Sequence, residues 1–254
     1  VTHVEGRVDP LDDAEIIETE LLLADLEHVT KRLKNLERRL KSFDKEAQTQ
    51  AVLLELARKS LEAGIPAREI ELEKEQIKPF KILQLLTAKP LLFVCNVDEK
   101  SAASGNYYSD RVKKKVEQSH TSAVIISAAI EEEISQLQDN SEMELFLEEL
   151  GLSESGLDRL IKVGYELLNL QTYFTVGPKE TRAWTIKTNT FAPQAAGKIH
   201  GDFERGFIRA ETISYNDYIK YSGEGGSREA GKLRSEGKSY IVKDGDVLNF
   251  LFNN

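Results

Sequence analysis

The chain has 254 residues, 40% hydrophobic and 30% charged, with a formal net charge of -9. These values describe a globular protein with solvated helices; they exclude a disordered tail and a uniformly basic nucleic-acid coat. A single cysteine, Cys95, excludes an internal disulfide and fits a reducing compartment, no apolar run is long enough for a bilayer, and no signal peptide opens the sequence.

The first residues, VTHVEGRVDP, read as a loop and as a chain entered part-way. Asp12 or Asp13 is the expected cap of a long helix. Leu22, Leu26, Val29, Leu33, Leu36, Leu40 and Phe43 then alternate steps of four and three, a heptad seam. A second helix over about 45–63 presents Leu53, Leu54, Ala57 and Leu61, and Gly64 and Pro66 end it. The short link between them predicts an antiparallel hairpin rather than a dimeric zipper. A third helix is expected over about 68–87, using Ile70, Ile77, Leu83 and Leu86.

The period changes at Lys89–Val97, a continuous apolar run that predicts a strand buried on both faces. A helix near 108–118 and a second such strand, Ser122–Ser127, complete one βαβ unit. Short helices follow near 129–137, 141–149 and 155–169. Two parallel strands are too few for a stable sheet, so this region is expected to be part of a larger one, with exposed apolar surface. Beyond about Gln171 the texture predicts a separate α+β domain. It has strands at 173–176 and 183–191, a helix at 193–199, a strand at 206–213, and a hairpin of 239–242 with 246–252 around Asp244-Gly245.

Charge is unevenly spread. Residues 172–254 carry 12 Lys and Arg against 10 Asp and Glu, so the acid surplus lies earlier. Within that acidic part, Lys31, Arg32, Lys34, Arg38, Arg39, Lys41 and Lys45 face only Glu37 and Asp44. This stripe is either an RNA-phosphate contact or a solvated helix face.

Gly226–Lys232 matches the G-x-x-x-x-G-K part of a phosphate loop, but Leu233 replaces the Ser or Thr that holds magnesium. The polar, aromatic stretch before it is no buried strand, so a surface loop with a short helix is expected. Asn96-Val97-Asp98-Glu99 stands where guanine-nucleotide proteins carry N-K-x-D. Glu99 is one methylene longer than the Asp that accepts guanine's N–H groups, which weakens a guanine preference. Asn96 can offer a donor and an acceptor, which suits an adenine edge. About 30 residues on comes Ser127-Ala128-Ala129, an S-A-x turn in the place where such proteins close the base pocket. No catalytic set is visible. His3, His28, His120 and His200 are dispersed without metal-ligand spacing, and Glu131–Glu133 reads as a solvated helix face.

The sequence resembles the YchF/Obg-like ATPase family, in the Obg group of phosphate-loop NTPases. The likeness rests on HVEGRVDPLDDAEIIETELLLADLE, on Asn96–Glu99, on Ser127–Ala129, and on QTYFTVGPKETRAWTIKTNTFAPQAAGKIHGDFERGFIRAE, which is similar to a TGS module of β-grasp type. The resemblance implies an α/β plus α+β architecture. Residues 1–11 and 88–170 would be the C-terminal part of an incomplete parallel-sheet G domain, 12–87 an inserted helical-hairpin arm, and 171–254 the TGS domain. It implies base recognition by Asn96, Val97 and Glu99, with Ser127 and Ala128 closing the pocket. ATP is favoured over GTP, with magnesium in the complete family member. The family's phosphate loop, switches and magnesium ligands precede the start of this sequence, so the chain alone is expected to be inactive and to hold no nucleotide. It further implies a cytoplasmic monomer working with ribosomes or other translation components. Two other readings stand beside this: a non-enzymatic RNA- or protein-binding module built from arm and TGS domain, and a coiled-coil dimer.

Overall fold

A computed structural model describes residues 9–117, 121–137 and 139–253. Residues 1–8, with His3, and also His120 lie outside the described residues. The chain divides into two compact units, Val1–Ile161 and Lys162–Asn254.

In the first unit, helix α1 (Pro10–Lys41) is capped by Asp9, whose carboxylate accepts the Leu11 and Asp12 N–H groups at 3.1 and 3.5 Å. The cap is thus three residues before the expected Asp12. Pro10 fixes a helical φ and has no N–H to leave unpaired, so the helix starts there. Asp12 and Asp13 fall in the first turn, favourably placed against the helix dipole. After a turn at Ser42 and Phe43, Asp44 caps helix α2 (Lys45–Glu62) by accepting from Glu46 and Ala47 at 2.9 and 3.1 Å. Val29 and Leu36 of α1 share one core with Ala47, Leu53, Leu54, Ala57 and Leu61 of α2, and Leu22, Leu26, Leu33 and Leu40 pack on its margin. The expected hairpin forms, and the heptad seam is filled from within the same chain. Phe43, the last seam residue by spacing, is instead 83% exposed, because α1 ends at Lys41.

The continuous third helix is not found. A short 3-10 turn at Ala67–Glu69 precedes helix α3 (Lys74–Lys81), and irregular chain runs on to Thr87. Pro79 lies within α3, and Gln84 adopts φ 56°, which ends helical continuation. Ile77 and Leu86 are exposed, whereas Phe80, Leu83 and Leu85 enter the hairpin core. This limb is held by a buried carboxylate. Asp25 accepts the Leu86 N–H at 2.9 Å, the Thr87 N–H at 2.8 Å and the Thr87 hydroxyl at 2.7 Å. Arg32 adds a bond from its guanidinium to the Leu83 carbonyl at 3.1 Å.

Strand β1 (Leu92–Asn96) pairs in parallel with β2 (Ser122–Ile126), and helix α4 (Tyr107–Glu117) crosses between them. β1 is not buried on both faces: Val94 is 45% exposed, and no described strand pairs with its other edge. Helices α5 (Ala128–Gln136), α6 (Asn140–Glu149) and α7 (Gly156–Leu167) follow near their expected positions. Glu131 is not simply solvated. Its two oxygens accept the Gly156 and Leu157 N–H groups at 2.7 and 3.2 Å, closing the start of α7.

The second unit contains β3 (Leu170–Val176), β4 (Thr181–Lys187), α8 (Ala192–Ile199), α9 (Gly201–Arg205), β5 (Phe207–Ser214), α10 (Tyr215–Lys220), α11 (Glu224–Glu229), β6 (Arg234–Glu236) and β7 (Asp246–Phe252). The sheet order is β4-β3-β7-β5-β6, with β3 and β7 parallel and the other neighbours antiparallel. Tyr173, Ile186, Phe207, Leu248 and Phe250 pack with Ala192, Ala195 and Ala196 of α8. The expected hairpin of 239–242 with 246–252 does not form. Asp244 and Gly245 bond to Thr172 of β3, each at 2.8 Å, and Ile241 makes only a single bridge to Phe191. The predicted strand at 183–191 is displaced too: β4 begins at Thr181 and ends at Lys187.

Candidate nucleobase site

Because β1 and β2 run in parallel, the loops after them leave the same edge of the sheet, where open α/β sheets place ligands. Asn96 is the last residue of β1, and Ser127 follows the last residue of β2. Two bonds tie these ends together. The Val97 N–H donates to the Ile126 carbonyl at 2.9 Å, and the Ala128 N–H donates to Asn96 Oδ1 at 3.0 Å. The second satisfies one of the free N–H groups that open α5.

This bond fixes the Asn96 carboxamide. A backbone N–H can be accepted only by the oxygen, so the bond sets which end of the carboxamide faces Ala128 and leaves both NH2 hydrogens and the oxygen's second lone pair for a ligand. The sequence reading gives Asn96 both a donor and an acceptor; one of the oxygen's two lone pairs is taken by Ala128. Ser127 is 2% exposed, and its hydroxyl is buried without a hydrogen-bond partner; it does not cap α5. Such an orphan costs stability unless something else satisfies it. Ala128 is exposed.

Asp98 caps the short turn Glu99–Ser101 by accepting the Ser101 N–H at 2.9 Å, and its hydrogen bonds to Ser101 hold its carboxyl below the usual carboxylate range. Glu99 starts that turn with an exposed side chain. The fold therefore brings Asn96, Val97, Ser127 and Ala128 together and sets Glu99 on the adjoining surface turn. None of them lines the cavity of about 280 Å3 between α1 and the start of β1, whose walls include Glu18, Arg68, Phe93 and Lys115. Partial burial in β1 pushes the Cys95 thiol up, away from the reactive thiolate.

The remaining candidates divide. Of the basic stripe, Arg32 is spent on Leu83, and Arg39 pairs with Asp44 and Glu46 at 2.7 and 3.1 Å. Lys31, Lys34, Arg38 and Lys41 are exposed. Gly226–Lys232 follows helix α10 rather than a strand, and a Cβ at Gly226 would lie 2.0 Å from the Tyr221 carbonyl oxygen. That glycine serves a tight helix junction. Among the described residues no group of three or more His, Cys, Asp or Glu is placed to hold a metal ion. His200 accepts the Asp202 N–H at 3.2 Å and caps α9. Sequence reasoning missed Asp25 and Glu131, whose partners are 61–62 and 25–26 residues away and leave no local signal.

Over 253 residues, covering 100% of its own length and 69% of the relative's, the chain is 49% identical to the ribosome-binding ATPase YchF of Escherichia coli O157:H7. The chain belongs to the YchF family. The ribosome-binding ATPase YchF of Bacillus subtilis strain 168 is 48% identical over 255 residues, again 100% of this chain and 69% of that one. The YchF-GTPase_C family, described as a protein of unknown function (DUF933), matches residues 170–253. Among solved structures, the Schizosaccharomyces pombe YchF GTPase superposes with a TM-score of 0.82 at 34% identity, covering 99% of this chain and 68% of that one. A GTP-binding protein of Pyrococcus horikoshii OT3 shares the fold, with a TM-score of 0.58 at 17% identity over 96% of this chain and 72% of that one. Membership of YchF also places the chain in the Obg-like group, and the mixed α/β architecture is that of the YchF structure.

Proposed function

We propose that this chain is the nucleobase-reading and partner-binding part of an ATP-preferring nucleotide hydrolase that works with the ribosome in the cytoplasm. The observation that carries the base-reading half is the Ala128 N–H to Asn96 Oδ1 bond, which joins the N-x-x-E loop to the S-A-A turn. In this reading the Asn96 NH2 donates to a purine ring nitrogen, and the Val97 backbone lies along the base. The Ser127 hydroxyl finds its missing partner on the nucleoside, and Ala128 closes the pocket. Glu99, longer than aspartate, does not match guanine's paired N–H groups, so guanine loses its advantage. The donor set suits a base and sugar; we assign no phosphate grip, magnesium ligand or hydrolytic step to residues of this chain. When bound, magnesium would neutralise the phosphates, and this chain's contribution would be to orient the base. Residues 12–87 act as a helical arm. Residues 171–254 are a TGS domain of β-grasp type, a reading supported by the match of 170–253 to YchF-GTPase_C and by the names of the relatives.

The test is an amide chemical-shift titration of the chain with adenosine and with guanosine, which need no phosphate grip. Adenosine should move the signals of Asn96–Glu99 and Ser127–Ala129 more than guanosine does, and Asn96→Ala should abolish the response. Shifts confined to Gly226–Lys232, or ATP turnover by the chain alone in magnesium, would overturn the reading. A second reading, a binding module that works without nucleotide, is favoured by the exposed Lys31, Lys34, Arg38 and Lys41. It predicts ribosome binding that weakens with salt and ignores ATP.

A further inference from the structure

The tip of the helical hairpin carries the most exposed large hydrophobic side chain among the described residues, Phe43, at 83%. Phe43 has φ 58° and stands just past the α1 cap, where its N–H bonds to the Leu40 carbonyl at 3.2 Å. The equivalent place after α2 is taken by Gly64 at φ 75°. Glycine is the residue this left-handed position favours; a side chain with a Cβ and a large ring is disfavoured there. The ring is outside the hairpin core and returns no packing to the fold. A disfavoured backbone state carrying an exposed ring points to use rather than to stability.

The neighbourhood says what kind of use. Between residues 38 and 46 stand four cations (Arg38, Arg39, Lys41, Lys45) and two carboxylates (Asp44, Glu46). Both carboxylates are already engaged by Arg39. Arg38, Lys41 and Lys45 therefore remain as exposed charges within five residues of Phe43 along the chain. Lys31, Lys34, Arg38 and Lys41 follow the spacing i, i+3, i+7, i+10, a single stripe on α1 about 15 Å long that leads to the tip. Lysine is depleted in the cores of protein–protein interfaces. A lone aromatic ring among cations is instead the composition that holds single-stranded nucleic acid, with bases on the ring and phosphates on the charges. We propose that Phe43 is a stacking platform for an unpaired RNA base, with Arg38, Lys41 and Lys45 on the flanking phosphates. The proposal deepens the partner-binding half of the reading above and does not depend on its base-reading half.

The left-handed backbone supplies a clean test, since Phe43→Gly removes the ring while suiting the turn. Fluorescence anisotropy of the full chain would be measured with a short mixed-sequence single-stranded RNA and with the same sequence as a duplex. The single strand should bind more tightly. Phe43→Gly should weaken it about tenfold or more, with thermal stability equal or higher, while Phe43→Trp keeps the affinity. The double change Lys41→Gln with Lys45→Gln should lower affinity and flatten its salt dependence. Equal affinity for single strand and duplex, or wild-type affinity in Phe43→Gly, overturns the proposal. Loss of ribosome co-sedimentation by Phe43→Gly with unchanged RNA affinity also overturns it and assigns the ring to a protein pocket. Adenosine-induced shifts at Asn96 should be the same in Phe43→Gly, so failure of one reading is separable from failure of the other.

Discussion

Single residues in this chain carry distinct electrostatic and steric tasks. Tyr240 donates to Asp246 at 2.7 Å and accepts from Arg234 at 3.2 Å. Burial first, and then the bond to the Asp246 carboxylate, push its phenol up from 10.0 to about 12. A raised folded-state value means that the stabilisation is complete below the unfolded tyrosine value near 10 and is lost as pH rises towards about 12. An absorbance titration of tyrosinate should therefore show a late step that Tyr240→Phe removes. The same variant should lose about 1–3 kcal/mol at neutral pH in denaturant unfolding, because buried Asp246 loses a donor. Gly226 poses a steric question. Gly226→Ala would set a methyl against the Tyr221 carbonyl, and we expect a cost of about 1–3 kcal/mol in the second unit. Its adenosine response should be unchanged; a lost response with intact stability would revive the phosphate-loop reading of this segment.

At the scale of elements, the helical hairpin was legible because its seam repeats over several turns and its second helix buries the residues that spacing selects, Leu53, Leu54, Ala57 and Leu61. The candidate site was legible in part, since a strand, an asparagine, a helix, a strand and a serine stand in order along the chain. What Asn96 does with its oxygen was not legible, because it depends on a partner 32 residues away. The third limb failed too. Its periodicity suggested one helix, but the chain leaves helical geometry by Gln84, and Asp25 of α1 holds Leu86 and Thr87 beyond that break. β6 was missed because three polar residues, Arg234–Glu236, carry no alternation to read. Asp25→Ala would leave three donors without their acceptor, two of them buried on Thr87. We expect a loss of at least about 1.5–3 kcal/mol, seen in denaturant unfolding and as faster exchange of the Leu86 and Thr87 amides.

On the scale of the whole molecule, the two units differ in how their sheets are protected. In the second, β7 lies between β3 and β5 and is paired on both sides. In the first, among the described residues β1 has β2 on one side only, and Val94 is 45% exposed. Hydrogen exchange should accordingly be slowest in β5 and β7 and distinctly faster in β1; equal protection would contradict this ranking. The central position of β7 also orders events during synthesis. It follows the other four strands of its sheet along the chain, yet it joins the β3–β4 hairpin to the β5–β6 pair. Every nascent chain stopped before Asp246 thus holds two half-sheets, each with a bare edge facing the gap. Such intermediates are the ones most exposed to mispairing with a neighbouring nascent copy, and they persist until β7 slides between them.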